Sequence, residues 1–308
     1  MSTMKQPDPF SGCHPLVNFF YFALVLAFTM FLMHPISLAI SLACAIAYLF
    51  CLNGRKAVFS QLRFLLPVVL LAAVANPAFN HEGATLICCL PTGNPLTLES
   101  IAYGLAAAVM LAAVVIWFSC CTAVMTSDKF VYLFGRIIPA LSLVLSMTLR
   151  FVPKFQAQFQ VVREAQRCVG RDISDGSMLR RVKNAITILS IMVTWSLENA
   201  IETADSMKSR GYGLPGRTAF SIYRFDGRDK AILAWLCFCG FYVCSGWMAG
   251  GLDWRYYPTV RGTLAGAFPI SFQLAYLALC LTPVIFDRVE YRKWETIGNG
   301  EGGICSKA

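Results

Sequence analysis

Residues 177–213, SMLRRVKNAITILSIMVTWSLENAIETADSMKSRGYG, decide the architecture predicted for this chain. Ser177 is a suitable N-cap, residues 180–208 contain no Gly or Pro, and Gly211 follows at the end. Together these signals predict one helix of about 30 residues and 45 Å. Its centre, residues 186–197, is apolar on all sides apart from Ser and Thr. The sequence therefore predicts a long rod with an apolar middle and a cationic tip.

A second amphipathic helix is predicted just before the first, so that residues 149–213 hold two helices in series. One side is mainly apolar at helical spacing, and Gln and Arg occupy another face. The first set is Phe155, Phe159, Val162, Gln166 and Val169, and the second is Gln156, Gln160, Arg163, Arg167 and Arg171. Pro153 follows Arg150, and a kink there would turn an embedded helix out along the membrane surface. Arg150 then either reaches lipid phosphates or positions the helix, and the sequence leaves both open.

Composition and hydropathy place the chain in a membrane. Of its 308 residues 57% are hydrophobic and 14% are charged, with a mean hydropathy of +0.59, which is typical of an integral membrane protein. The uncharged runs are 16–33, 35–52, 64–80, 101–127, 231–252 and 263–286. A helix of about 20 residues crosses the apolar slab. We therefore predict an all-α polytopic membrane protein with about six transmembrane helices plus long cytoplasmic amphipathic helices.

The distribution of Lys and Arg orients these helices. With six spans and the N-terminus inside, the short inner segments carry eight Lys and Arg residues, whereas the outer side has only Arg255 and Arg261, in agreement with the positive-inside rule. Residues 1–11 lack the basic start and cleavage site of a signal peptide, so we expect the first span to be retained. The predicted divisions are a membrane region with four helices at 1–127, a cytoplasmic and interfacial helix region at 128–230, two membrane helices at 231–286 and a cytoplasmic tail at 287–308.

The sequence argues against catalysis and against a self-sufficient pump. It has no G-x-x-x-x-G-K-[ST] phosphate loop, no G-x-S-x-G elbow and no H-E-x-x-H motif, which are devices of nucleotide-binding and hydrolytic sites. The six runs carry no charged residue, whereas ion-coupled transporters place such groups within their spans. The net charge of +9 indicates attraction to anionic membrane lipid rather than to nucleic acid. We predict no catalytic residues and no nucleic-acid partner.

Cysteine and histidine patterns do not favour a metal centre. Most of the 13 cysteines lie in or beside apolar runs and no C-x-x-C occurs, so we interpret them as small buried hydrophobic residues. Cys88 and Cys89, on the outer side, are the only plausible redox exception. His81 and Glu82 are either half of a metal site or part of a structural loop. The loop is favoured because adjacent side chains diverge and no third ligand is evident.

The end of the long helix, Ser209-Arg210-Gly211, has the composition of a binding tip. The helix dipole favours a cation at a C-terminus, and the planar fork of Arg210 is able to bind a partner carboxylate through two hydrogen bonds. Ser209 and Gly211 keep the neighbouring surface small, so that the tip fits a groove. The alternative is ordinary capping, because Arg-Gly is common at helix ends.

Three stretches resemble the transmembrane T component of energy-coupling factor (ECF) transporters, the CbiQ family. They are 76–83 (NPAFNHEG), 149–153 (LRFVP) and 204–213 (ADSMKSRGYG), in the order that the family shows. The last of them resembles the second Ala-Arg-Gly motif of the family. The resemblance covers most of residues 10–286.

The first Ala-Arg-Gly motif departs from the family pattern. It should follow Ala165-Gln166, but this chain has RCVGR at 167–171. Val169 thus stands where arginine is usual. Arg167 or Arg171 would supply the charge from a neighbouring position.

The resemblance implies the energy-coupling transmembrane subunit of an ECF-type ABC importer, in the plasma membrane of a prokaryote with both termini cytoplasmic. Such a subunit links two cytoplasmic ABC-type ATPase subunits, which bind ATP and Mg²⁺, to a substrate-binding membrane S component, for uptake of a vitamin or a transition-metal ion. The chain itself would hold no cofactor. The implied ATPase-coupling residues are Ser209, Arg210, Gly211, Arg167, Cys168, Val169, Gly170 and Arg171, and the helix-positioning residues are Arg150 and Pro153.

Two questions stay open at this point. Residues 186–197 are either the dock for the S component or the packing face toward the chain's own helices. A stand-alone carrier or channel and a membrane enzyme with an unrecognised site are the alternative functions. The carrier would move solute without ATPases, and the enzyme would show turnover when purified alone.

Overall fold

The chain is built almost entirely of helices. The computed structural model describes residues 9–80, 83–89, 95–135, 138–172, 177–214, 223–262 and 266–301. The helices are α1 (Pro15–Phe31), α2 (Pro35–Phe79), α3 (Leu98–Val124), α4 (Ser127–Gly135), α5 (Pro139–Cys168), α6 (Met178–Ser209), α7 (Gly227–Met248) and α8 (Ala267–Glu301). Two short antiparallel ribbons complete it, β1 (Leu86–Cys89) with β2 (Pro95–Thr97) and β3 (Trp254–Arg255) with β4 (Arg261–Gly262).

Helix α2 contains two of the predicted spans. Its backbone leaves the helical conformation at Gly54, where φ is 75° and ψ is 174°. A straight helix of 45 residues would be about 68 Å long. Yet neighbouring tyrosines bond to its two ends: the hydroxyl of Tyr256 donates to the Met33 carbonyl at 2.9 Å, and Asn80 donates to the Tyr257 hydroxyl at 3.1 Å. The chain therefore folds back at Gly54, into residues 35–53 and 55–79.

The long apolar helices confirm an all-α polytopic membrane protein. Within the described chain four helices are long and apolar enough to cross a membrane, namely α2, α3, α7 and the Ala267–Glu290 part of α8, and α1 is a shorter apolar helix. The six uncharged runs thus lie on five helices, because the second and third share α2. Helix α8 also continues to Glu301, well beyond the predicted end of the last span at 286.

The membrane helices pack around aromatic rings and hydroxyl groups. Helices α1, α2, α3, α7 and α8 belong to one compact unit, residues 1–126 with 223–308. At its centre the buried Ser41 hydroxyl accepts from the Trp117 indole at 3.0 Å and lies 2.8 Å from the Thr29 hydroxyl. Thr29 in turn lies 3.1 Å from the Tyr276 hydroxyl. Hydrogen bonds between hydroxyls of different helices satisfy polar groups that lipid cannot.

The connections on the predicted outer side contain the two ribbons. Residues 86–89 pair with 95–97 in the first ribbon. The Ala84 amide donates to the Pro258 carbonyl at 3.2 Å, which joins this ribbon to the connection between α7 and α8. His81 and Glu82, the two candidate metal ligands, lie outside the described residues. The same holds for residues 173–176 and 215–222.

Helices α4, α5 and α6 form a second compact unit, residues 127–222. Helix α6 begins directly after Ser177 and ends at Ser209, two residues before the predicted stop at Gly211. Helix α5 continues through Pro153, so the proline that was expected to bend this segment lies inside one helix. This unit holds every candidate coupling residue.

Candidate functional site: the ends of two paired helices

Helices α5 and α6 lie antiparallel along each other. The Phe155 ring meets the edge of the Trp195 ring at 5.3 Å between centroids. Further toward the end of α5, Val162 packs in one buried cluster with Ile188 and Met192, which lie earlier on α6. Moving forward along α5 therefore corresponds to moving backward along α6. The end of α5 lies beside the beginning of α6, and the end of α6 lies at the other end of the pair.

Polar contacts at both flanks of this cluster support the same register. The Lys154 ammonium lies 5.6 Å from the centre of the Trp195 ring and donates to the Asn199 side-chain oxygen. At the other flank, the side-chain amide of Asn184 donates to the Asp172 carbonyl at 2.9 Å. Because these bonds bracket the apolar cluster, they resist sliding of one helix along the other.

The end of α5 is closed by a glycine in the left-handed conformation. Gly170 has φ of 75°; its amide donates to the Arg167 carbonyl at 3.0 Å, and the Arg171 amide donates to the Gln166 carbonyl at 2.9 Å. This pair of bonds is the Schellman motif, which satisfies the last carbonyls of a helix. Val169 is the C-cap residue.

The end of α6 has the same backbone geometry. Gly211 has φ of 76°; its amide donates to the Lys208 carbonyl at 3.0 Å, and the Tyr212 amide donates to the Met207 carbonyl at 3.0 Å. Arg210 is the C-cap residue. The two ends therefore align residue by residue, with Val169 and Arg210 in equivalent positions.

The two equivalent ends are far apart. In the antiparallel register, the part of α6 that lies beside Val169 is near residue 181. From there to Arg210 the helix advances about 30 residues, or about 45 Å. The helix pair thus brings Arg167, Cys168, Val169, Gly170 and Arg171 together at one end and Ser209, Arg210 and Gly211 together at the other.

An internal brace at the first end was not foreseen from the sequence. The carboxylate of Asp172 is almost fully buried and lies 3.7 Å from the Arg167 guanidinium, while its carbonyl holds Asn184. The Arg167 guanidinium thus interacts with a carboxylate of its own chain. Arg171 is exposed and has no ion-pair partner among the residues described.

Comparison with known proteins bears on the whole of this region. The family model for CbiQ, described as cobalt transport protein, matches residues 12–220, which include both helix ends. This match covers more than half of the chain. The chain belongs to the CbiQ family.

Curated relatives carry the name energy-coupling factor transporter transmembrane protein EcfT. The protein from Lactobacillus helveticus (strain DPC 4571) is 38% identical over 96 residues, which is 31% of this chain and 35% of the relative. That from Bacillus selenitireducens is 34% identical over 112 residues, 36% of this chain and 42% of the relative. That from Bacillus subtilis (strain 168) is 31% identical over 94 residues, 30% and 36% of the two chains. The chain thus spans roughly a third to two fifths of the length of these relatives.

Helix α6 of this CbiQ-family chain has an apolar face that α5 does not cover. Ile188 and Met192 are buried against α5, whereas side chains at intervals of three or four residues on another face are 49 to 65% exposed. We call this face the apolar stripe: Val182, Ile186, Leu189, Val193, Leu197 and Ile201. Beside it an open groove of about 410 Å³ runs between α5 and α6, with Phe155, Phe159 and Leu189 in its lining.

The two predicted positioning residues lie away from both ends. Arg150 and Pro153 are exposed on α5, close to the level of Asn199 on α6, since Lys154 contacts Asn199. They therefore neighbour neither Val169 nor Arg210. Any influence of these two residues on the helix ends would therefore act through α5, the helix that carries them.

Proposed function

We propose that the chain is the energy-coupling transmembrane subunit of an ATP-driven importer of the ECF type. Two ATPase subunits bind the two ends of the α5–α6 pair, one at residues 167–171 and the other at 209–211, and a separate membrane S component binds the apolar stripe. The observation that carries this proposal is the pair of exposed, identically capped helix ends, about 45 Å apart on one packed helix pair. Two equivalent ends on one helix pair suit a partner that consists of two ATPase subunits.

The chemistry of the second end suits a carboxylate-lined groove. The carbonyls at the end of α6 bear partial negative charge, which a cation at the C-cap offsets, so Arg210 is favourable at this position. Its planar fork is able to accept a carboxylate in a two-bond geometry. Gly211 turns the chain away directly after it. The exposed guanidinium is then able to enter a groove of the partner, because the residue that follows it has no bulky side chain.

The packing between α5 and α6 suits the transmission of movement. ATP-driven closure of the ATPases changes the separation of the two grooves in which the helix ends lie. Because Val162, Ile188 and Met192 form a close-packed contact, each helix moves as a rigid body, and the displacement appears along its whole length. The apolar stripe lies on α6, so the S component bound there is displaced with it.

The remaining assignments of the proposal concern the setting of the chain. It lies in the plasma membrane of a prokaryote with both termini cytoplasmic. Regions 1–127 and 231–286 anchor it in lipid, region 128–230 is the coupling region, and 287–308 is a cytoplasmic tail. ATP and Mg²⁺ are bound by the ATPases, the S component selects a vitamin or a transition-metal ion, and this chain is non-catalytic and binds no nucleic acid.

Co-purification tests this proposal. The tagged chain is purified gently from its native membrane beside Arg210→Glu and a control, Arg261→Glu, which reverses an exposed charge on β4 in the other unit. Mass spectrometry then identifies the accompanying chains. We expect two ATPase polypeptides with Walker A sequences and one small membrane protein with the wild type and with Arg261→Glu. Arg210→Glu is expected to lose at least one ATPase, because like charges in a closed groove are strongly unfavourable.

Three outcomes would contradict the proposal. A wild-type chain that arrives without any ATPase would remove its basis. Solute movement in liposomes that contain only this chain would favour a stand-alone carrier instead, and turnover by the isolated chain would favour an enzyme.

A further inference from the structure

The first six residues of α6, 178–183, have the sequence MLRRVK, and all six side chains are exposed. We call residues 178–183 the basic segment. Met178 is 83% and Leu179 is 85% exposed, more than any other large apolar side chain described in the second unit. Three basic side chains lie directly beside them. The basic segment thus presents large apolar side chains and cationic groups together at one place on the surface.

These side chains occupy different faces of the helix. At about 100° per residue, Met178, Leu179 and Val182 fall within one third of the circumference. They lengthen the apolar stripe, which begins at Val182, toward the start of α6. The three basic residues lie on the rest of the circumference. An apolar face flanked by basic side chains is the pattern of a helix that lies in the interface of a membrane.

The charge of α6 changes sign along its length. The basic segment holds three basic residues and no acidic one. The remaining residues, 184–209, hold three acidic residues, Glu198, Glu202 and Asp205, and one basic residue, Lys208. An anionic surface therefore attracts the start of α6 and repels its end.

The stability of the helix itself does not account for the basic segment. The start of a helix is the positive end of its dipole, so Arg180 and Arg181 in the first turn are unfavourable there. The first turn contains no acidic residue, and the side chain of Ser177 makes no capping hydrogen bond. An anionic partner outside the chain would offset this excess of positive charge.

We propose that the basic segment binds the anionic phospholipid headgroups of the bilayer, with Met178 and Leu179 inserted just below them. The cationic groups then meet phosphate oxygens, to which an arginine donates two parallel hydrogen bonds. This inference goes beyond the proposed coupling function and does not depend on it, since neither residues 167–171 nor residues 209–211 take part.

An anionic bilayer has the chemistry that this surface requires. The basic segment needs negative charge and an apolar layer within one side-chain length of each other, and the interface of an anionic leaflet offers both. Each Lys or Arg near such a leaflet strengthens binding about fivefold, so three residues favour the bound state about 100-fold. Because the chain is a membrane protein, this partner is present wherever the chain is.

Radical footprinting of the purified chain tests the proposal. The chain is placed in lipid nanodiscs of phosphatidylcholine alone, or of equal parts of phosphatidylcholine and phosphatidylglycerol. Hydroxyl radicals then oxidise the side chains that water reaches. Mass spectrometry gives the oxidation rate of Met178, and Met207 near the other end of α6 is the internal reference.

Two variants carry the comparison. One combines Arg180→Gln, Arg181→Gln and Lys183→Gln, which removes the charge of the basic segment and keeps its apolar side chains. The matched control neutralises three other exposed basic residues, on α2, by Arg55→Gln, Lys56→Gln and Arg63→Gln. Helical content and thermal unfolding verify that both variants are folded.

In the wild type, Met178 is expected to be oxidised about 10-fold more slowly in the anionic discs than in the neutral ones, while Met207 is unchanged. Raised ionic strength is expected to remove this difference, because salt screens exposed charges. That arm needs no variant, so it remains informative if a triple variant folds poorly. The variant in the basic segment is expected to lose the difference, and the control in α2 to keep it.

Three results would overturn the inference. Equal oxidation of Met178 in the two kinds of disc would exclude recognition of anionic headgroups. Protection that persists in the variant of the basic segment would show that its charges do not bind the lipid. Protection that appears only when ATPase subunits are bound, whatever the lipid, would assign the segment to a protein partner. The coupling function is judged separately, by the co-purification of the ATPases.

Discussion

The two units of the chain have interiors of very different kinds. In the unit of membrane helices, several large aromatic side chains are completely enclosed and their rings touch one another: Trp117 lies 6.1 Å from Tyr21 and 6.3 Å from Tyr48, centroid to centroid. In the unit of α5 and α6, the buried cluster consists of Val162, Ile188 and Met192.

On the proposed function, this difference separates an anchor from a moving part. The first unit buries its bulky groups in its own interior, so it is expected to be stable without partners. Among its described residues, the second unit buries few large side chains and leaves the apolar stripe of α6 exposed. Exposed apolar surface of this extent marks an interaction site. A helix pair with few internal contacts is also easier to displace, since elements that move come from the less stable parts of a protein.

Trp117→Ala is the change with the largest expected effect, because it removes the central ring of the first unit and leaves the Ser41 hydroxyl without its indole donor. Large-to-small changes of this type cost about 3–5 kcal/mol. We expect a correspondingly lower thermal unfolding midpoint for the purified chain in detergent. Phe118→Ala is the matched control, since Phe118 is 55% exposed. Equal losses for the two variants would show that the ring cluster is not what holds this unit together.

Ile188→Ala tests the second unit in the same way and should cost less. Ile188 is buried in a small cluster that is open on one side, so relaxation limits the loss to about 2 kcal/mol. Hydrogen exchange is expected to rise in α5 and α6 and to stay unchanged in the first unit. Ile186→Ala, on the exposed stripe, serves as the control. Faster exchange throughout the chain would mean that the two units unfold together.

Gly170→Ala probes the end of α5. A Cβ at this position meets no atom within 4 Å, so the cost is only the left-handed conformation, about 1–2 kcal/mol. We expect faster hydrogen exchange at the amides of residues 167–171. Gly227→Ala is the control, because that glycine is equally open and is not in the left-handed region. If Gly170→Ala exchanged like the wild type, the capping bonds would not hold this end.

The sequence predicted the long helices well and their pairing poorly. Caps and breakers are local signals, so Ser177 and Gly211 placed the ends of α6 to within a residue or two. The sequence also placed Val169 at the position that Arg210 occupies in the second end. The antiparallel register of α5 and α6 could not be predicted from the sequence, because it depends on which of several apolar faces pack against each other. The brace between Asp172 and Asn184 depends on the same register.

The hydrogen bonds between polar groups of the membrane unit were also not predicted, because they too depend on how the helices pack. Isolated Ser and Thr residues in an apolar run, such as Thr29 and Ser41, carry no periodic signal. Their importance appears only when α1, α2, α3 and α8 bring them together. The fold-back of α2 was foreseeable, since Arg55 and Lys56 interrupt the apolar run directly after Gly54.

Leu189→Asn with Leu197→Asn should have the smallest effect on stability and the clearest effect on assembly. Both side chains are more than 60% exposed on the apolar stripe, so the free energy of unfolding of the isolated chain is expected to change by less than about 0.5 kcal/mol.

In the native membrane the same variant should lose the small membrane partner while it retains the ATPases, because only the stripe is altered. Thr194→Asn, an exposed change on α6 outside the stripe, is the control and should retain all partners. The opposite pattern, a large loss of stability with every partner retained, would assign the stripe to packing against the chain's own helices. That result would also mean that the second unit, like the first, has an enclosed apolar interior of its own.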